Sequence, residues 1–198
     1  MTPTPTPTLP AAHRELREYF EPLAPEPRLV TRGDLIDHLP RARVPRDRCP
    51  IDISYAELAV RVMRMVEGDE PKRSALLMFA PQAYFGPLSR AQERLLFLLD
   101  KLPEVEGAYD RVRRAVREAF GLSAEIPPEL QATLDDAVRT ELHAIERARH
   151  LSLSSMPPLE RLPAELEVLS TSEARCAYGE AVFEYFGSAQ RERERKSA

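Results

Sequence analysis

Tryptophan is absent from this chain, cysteine occurs twice, glycine seven times, and no apolar run approaches the length needed to cross a bilayer. The two cysteines, Cys49 and Cys176, are far apart and in no metal-like spacing. That excludes a disulfide scaffold and leaves two reduced thiols. So few glycines leave no room for a Gly-rich phosphate cradle, and neither a Gly-x-Ser-x-Gly elbow nor a paired Cys and His motif occurs. Lysine is scarce as well: Lys72, Lys101 and Lys196 are the only lysines among 28 basic residues. Arginine is therefore the default cation, as in a GC-rich genome, and a run of arginines carries less weight than it would elsewhere.

The composition that remains is that of a globular protein. With 198 residues, 43% hydrophobic and 30% charged, the chain suits one domain with a real core, and its formal charge of -4 gives no basic excess for nucleic acid. Residues 2–8, TPTPTPT, have no apolar group to bury, so residues 1–10 are expected to form a flexible, polyproline-like lead. The stretch 190–198, QRERERKSA, lacks an apolar stripe and reads as a charged tail, leaving 11–189 as the folded unit. The first ten residues have neither the basic start nor the apolar core of a secretory signal, so the expected location is the cytoplasm.

Nearly every segment between these ends has helical periodicity, and strand alternation is all but missing. From residue 53, Leu58, Val62, Met65 and Val66 share one face behind a Ser54/Glu57 capping-box spacing. From Ser89, Leu95, Leu96, Leu98, Leu99 and Leu102 make a helix apolar on most sides, which marks it as the expected central helix. Further helices are expected at 104–120, from Pro128 to about 150, and from Ser170 with Tyr178, Val182 and Phe186 inward. Shorter ones are expected at 13–20, 34–39, 73–79 and 159–169. The likeness of PPEL at 127–130 to LPAEL at 162–166 does not recur as a repeat array would require. The fold class is all-α: one irregular domain of six to nine helices, broken by 19 prolines.

Candidate sites are few. Residues 41–50, RARVPRDRCP, concentrate Arg41, Arg43, Arg46 and Arg48 between prolines. Four guanidinium forks suit an anion or an acidic protein surface, but no aromatic residue interleaves them as single-stranded nucleic acid would want. The favoured reading is a solvated connector that contributes little core and can touch an acidic protein, with Cys49 a plain surface or partly buried thiol. Its neighbours Arg46 and Arg48 could lower its pKa. His143, Glu146 and His150 fall at i, i+3 and i+7, a spacing that can present two imidazoles and a carboxylate, yet no second helix offers partner ligands. A solvated face is favoured over a metal site. Phe183 lies off the main stripe of the last helix, as an aromatic in a partner-binding patch does.

The sequence therefore points to a non-enzymatic helical interaction or regulatory module, without cofactor or metal. Its partner is expected to be a protein rather than nucleic acid or membrane, with self-association left open. The competing readings are a small enzyme or metal-binding protein built on His143, Glu146 and His150, and a DNA-binding regulator built on Arg41, Arg43, Arg46 and Arg48. The periodicity itself is testable: far-ultraviolet circular dichroism should show well over half the residues helical, and a sheet-dominated spectrum would overturn the fold class.

Overall fold

Four hydroxyl side chains start helices, as their sequence positions require. Thr31 and Ser89 form complete capping boxes with Asp34 and Gln92. Ser170 accepts from the Glu173 backbone N–H at 3.3 Å while the Glu173 carboxylate takes the Ser170 N–H at 2.8 Å. Ser54 accepts from the Glu57 N–H at 3.1 Å, but the Glu57 carboxylate does not return to its cap and is used elsewhere. Each hydroxyl satisfies a backbone donor that the first helical turn would leave unpaired.

The computed structural model describes residues 21–49, 51–154 and 168–197, with side chains omitted at 148–154 and 188–197. The Thr/Pro lead and the helix expected at 13–20 lie outside the described residues, as does all but the end of the one expected at 159–169. The described chain is all-α: α1 Arg32–His38, α2 Tyr55–Met65, α3 Asp69–Leu77, α4 Ala80–Phe85, α5 Arg90–Leu98, α6 Leu102–Ala119, α7 Pro128–Ser154 and α8 Thr171–Ser197. A short 3-10 turn at Pro27–Leu29 precedes α1, and no strand occurs among the described residues. No helix among them is long and apolar enough to cross a membrane.

The core forms around α2. Tyr55, Ala56, Leu58, Ala59, Val60, Val62 and Met63 are all buried, so this helix is enclosed on almost every side. Helices α3, α7 and α8 pack on it; α3 also meets α6 and α8, α4 bridges α1 and α6, and α5 rests on α6. Leu134 and Ile145 of α7 and Tyr178, Val182 and Phe186 of α8 close the interior, each 2% exposed or less.

The expectation that the Ser89 helix would be central is overturned. No residue of α5 is buried, and Leu95, Phe97, Leu98 and Leu99 are 56%, 69%, 69% and 59% exposed. Hydrophobicity alone favoured α5, but α2 carries the small side chains Ala56 and Ala59 that let neighbouring backbones approach from several sides. Two further differences concern helix ends. α7 runs a turn past residue 150 to Ser154, and the α8 backbone continues helically from Gln190 to Ser197. α4 was not expected, because it is a six-residue piece with Pro81 in its first turn.

Two helices end in the same hydrogen-bond pattern. After α6, Gly121 at φ 75 lets its N–H reach the Glu118 carbonyl and the Leu122 N–H reach the Arg117 carbonyl. After α5, Asp100 takes the equivalent place at φ 56, with Asp100 N–H to Phe97 O and Lys101 N–H to Leu96 O. A side chain in this left-handed region costs energy that glycine avoids. Asp100→Gly is therefore expected to raise unfolding stability by up to about 1 kcal/mol in urea titration; destabilisation would show that the aspartate side chain holds the turn.

Candidate functional site

The arginine-rich loop is more structured than its prolines imply. The Val44 N–H donates to Ile53 O and the Tyr55 N–H to Ala42 O, each at 2.9 Å, around an isolated antiparallel bridge between Arg43 and Ser54. Extended backbone alternates its side chains, so Ala42 and Val44 enter the core while Arg43 faces outward. Cys49 is fully buried, and burial pushes its thiol pKa up. Two expectations are thereby corrected: the loop supplies core, and Cys49 is neither at the surface nor activated by Arg46 and Arg48.

The four arginines separate into two roles. Arg43 donates to Asp52 O at 3.1 Å and to Thr171 Oγ1 at 2.8 Å, tying the loop to the first turn of α8. Arg48 pairs with Glu93 of α5, and the adjacent Asp47 carboxylate accepts the Arg90 N–H at 2.7 Å. Arg41 and Arg46 are exposed and have no side-chain hydrogen bond or ion pair among the described residues. The loop is thus strapped to the start of α5 by two contacts, with Arg46 free beside them.

Helix α5 lies on the protein through Glu93 and Leu96, its only partly covered residues. Ala91, Leu95, Leu98 and Leu99 follow i, i+4, i+7 and i+8 spacing and form one outward strip. Arg90, Arg94 and Phe97 form the neighbouring strip, at i, i+4 and i+7. Both arginines are exposed, and neither side chain has a charge partner among the described residues. The leucines of the first strip are each more than half exposed. The sequence signal for this surface was present in RLLFLL, but it was read as core.

The other candidates lie elsewhere. Phe183 on α8 is 59% exposed, and the Arg32 guanidinium sits over its ring at 5.5 Å. It is twelve residues beyond Thr171, roughly 18 Å along the helix, so the structure does not gather Phe183 with the arginine loop. His143 Nδ1 and Glu146 Oε2 are 3.8 Å apart with 68% and 54% of their side chains exposed, and the side chain of His150 lies outside the described residues. Among the described residues no group of three metal-ligating side chains comes together.

Sequence reasoning missed a polar network behind the loop. Glu57, 2% exposed, accepts from Arg61 Nε at 3.1 Å and Nη2 at 2.9 Å through Oε1, and from the Leu169 N–H at 3.2 Å through Oε2. Arg61 Nη1 continues to Glu141 of α7 at 3.0 Å. Burial raises the Glu57 pKa, and the Arg61 guanidinium opposes that rise. Burial works against the charge of Arg61 too, but its bonds from Glu141 and Glu57 together outweigh it and its pKa is raised. The Glu57 and Arg61 i, i+4 spacing was the available sequence clue.

No protein-family model matches this chain, and no curated protein is significantly similar to it.

The network makes a signed prediction. Glutamine at position 57 retains an acceptor for the Leu169 N–H, so Glu57→Gln should stay within about 1 kcal/mol of the unmodified protein. Glu57→Ala strips Arg61 and Leu169 of an acceptor in the interior and should cost about 3 kcal/mol. Because the folded pKa of Glu57 is raised, its contribution is full below the unfolded value of about 4.3 and is lost as pH rises through the folded value. Denaturant titrations should therefore show the stability relative to Glu57→Gln falling with pH across that window. A rise instead would mean that the Arg61 pairing dominates burial.

Proposed function

We propose that this chain is a non-enzymatic helical interaction module that docks a protein segment bearing an apolar face edged with acidic side chains. The observation that supports it is the outward strip Leu95, Leu98 and Leu99 on a helix with no buried residue. Arg90, Arg94 and Phe97 flank that strip, and Arg46 lies at its head through the Asp47 and Arg48 contacts to α5. A cationic edge around an apolar strip complements an amphipathic partner with carboxylates on its rim.

A second copy of the chain suits the surface less well. A stable symmetric pair needs about 800 Å² from each partner, more than the α5 strip offers, and it would bring Arg90 and Arg94 against their own equivalents. Nucleic acid also fits poorly, because Arg43 and Arg48 are committed to internal contacts and no continuous basic face is formed by the loop.

The test uses three synthetic helical peptides with one apolar pattern and acidic, basic or scrambled polar positions. Fluorescence anisotropy should show the acidic peptide binding with saturation and losing affinity as salt rises, since exposed charges are screened within about 8–10 Å near physiological ionic strength. Leu98→Ser should weaken it about tenfold or more, the value of one buried leucine, and Arg90→Gln with Arg94→Gln should flatten the salt dependence. Equal binding of the basic peptide, or sedimentation as a dimer abolished by Leu98→Ser, would overturn the reading.

A further inference from the structure

On the inner side of α5, opposite the docking strip, lies a half-open cavity of about 210 Å³. Leu88, Leu102 and Val105 supply apolar wall, and Tyr55, Gln82, Glu93, Glu106 and Asp110 supply polar groups. Tyr55 is only 6% exposed, and its hydroxyl has no hydrogen-bond partner among the described residues. Its ring is fixed against Phe79, with centroids 5.0 Å apart. On the same lining the Oε1 of Gln82 is buried with no donor among the described residues, so an occupant that brings a hydrogen-bond donor would satisfy both groups.

The charges around the cavity decide what that occupant is. Three carboxylates line it against one cation, Arg48, which already pairs with Glu93. Asp110 is paired with Arg113, while Glu106 is exposed and has no ion-pair partner among the described residues. An anion would meet the uncompensated Glu106 carboxylate, and a purely apolar molecule would leave the Tyr55 hydroxyl and Gln82 Oε1 unmet. The volume is below the roughly 300–1,000 Å³ of drug-sized sites, which excludes a nucleotide.

We propose that this cavity binds a small primary amine with a short apolar body, its ammonium held by Glu106 and the Tyr55 hydroxyl and its body against Leu88, Leu102 and Val105. Burial, the largest influence, pushes the Tyr55 pKa up to about 12, so the phenol keeps its proton, accepts from the ammonium and can donate to a carboxylate. The aromatic ring of Tyr109, stacked on Phe85 with centroids 4.9 Å apart, adds a rigid face on the same lining.

Calorimetric titration of the full chain with phenethylamine and butylamine tests this, with phenethyl alcohol and phenylpropionate as neutral and anionic counterparts. The expected result is saturable binding of an amine with Kd of about 1 mM or tighter, and counterparts at least about tenfold weaker. Tyr55→Phe, which keeps the ring, and Glu106→Gln, at an exposed position, should each weaken the amine about fivefold or more, the value of one hydrogen bond. Val105→Phe should fill the space and abolish binding, whereas Leu98→Ser on the opposite side of α5 should leave it unchanged. Amines that fail to saturate, an alcohol that binds equally well, or affinity untouched by both Tyr55→Phe and Glu106→Gln would each overturn the proposal.

Discussion

A carboxylate inside a helical core must be met by a cation and by N–H donors, and Glu57 is the point at which this protein meets that demand. Its two oxygens are shared between Arg61 on its own helix and the backbone just before α8. Arg61 then carries the connection to Glu141 on α7. Three elements distant in sequence are thus brought to one polar centre, and their apolar faces close over α2 around it. A buried ion pair is weak evidence of net stability, because desolvation offsets much of its attraction. Its value is positional: displacing α7 or the start of α8 would leave charge stranded in the core.

The arginine loop follows from the same packing. Its alternating residues Ala42 and Val44 cover the start of α2, and Cys49 fills a buried place behind them. With those positions committed inward, Arg43 and Arg48 reach sideways, one to α8 and the other to α5. A segment that begins as a proline-punctuated connector becomes a strap. The fixed position of α5 depends on that strap and on α6, since α5 buries no side chain of its own.

This arrangement gives α5 two sides of different character. Inward, Glu93 helps line a cavity with Tyr55, Glu106 and Asp110. Outward, leucines that would stabilise an interior are left in water, where their exposure favours association with a complementary surface. The buried arginine of α6 shows how differently charge is handled away from this region: Arg117 is 1% exposed and donates to Ser123 O at 2.7 Å and Ser74 Oγ at 3.0 Å. Burial lowers its pKa, and its contacts close the turn after α6 rather than face a partner.

The sequence by itself determined the elements. Helical periodicity and helix starts at Ser54, Ser89 and Ser170 are local properties, set by side chains within a turn or two of one another, and they located most of the helices. The inward faces of α7 and α8 were legible for the same reason: Leu134, Ile145, Tyr178, Val182 and Phe186 repeat at the helical period. Which helix occupies the centre was not legible, because burial depends on whether neighbours can approach closely, and Ala56 and Ala59 permit at α2 what the bulk of α5 does not. Nor could sequence assign the partners of Arg43, Arg48 or Glu57, which come from residues up to 128 positions away. Only the tertiary structure decided that the leucines of α5 face outward and that Asp47 and Arg48 of the loop hold the helix in place, because both are outcomes of packing between segments that local chemistry does not connect.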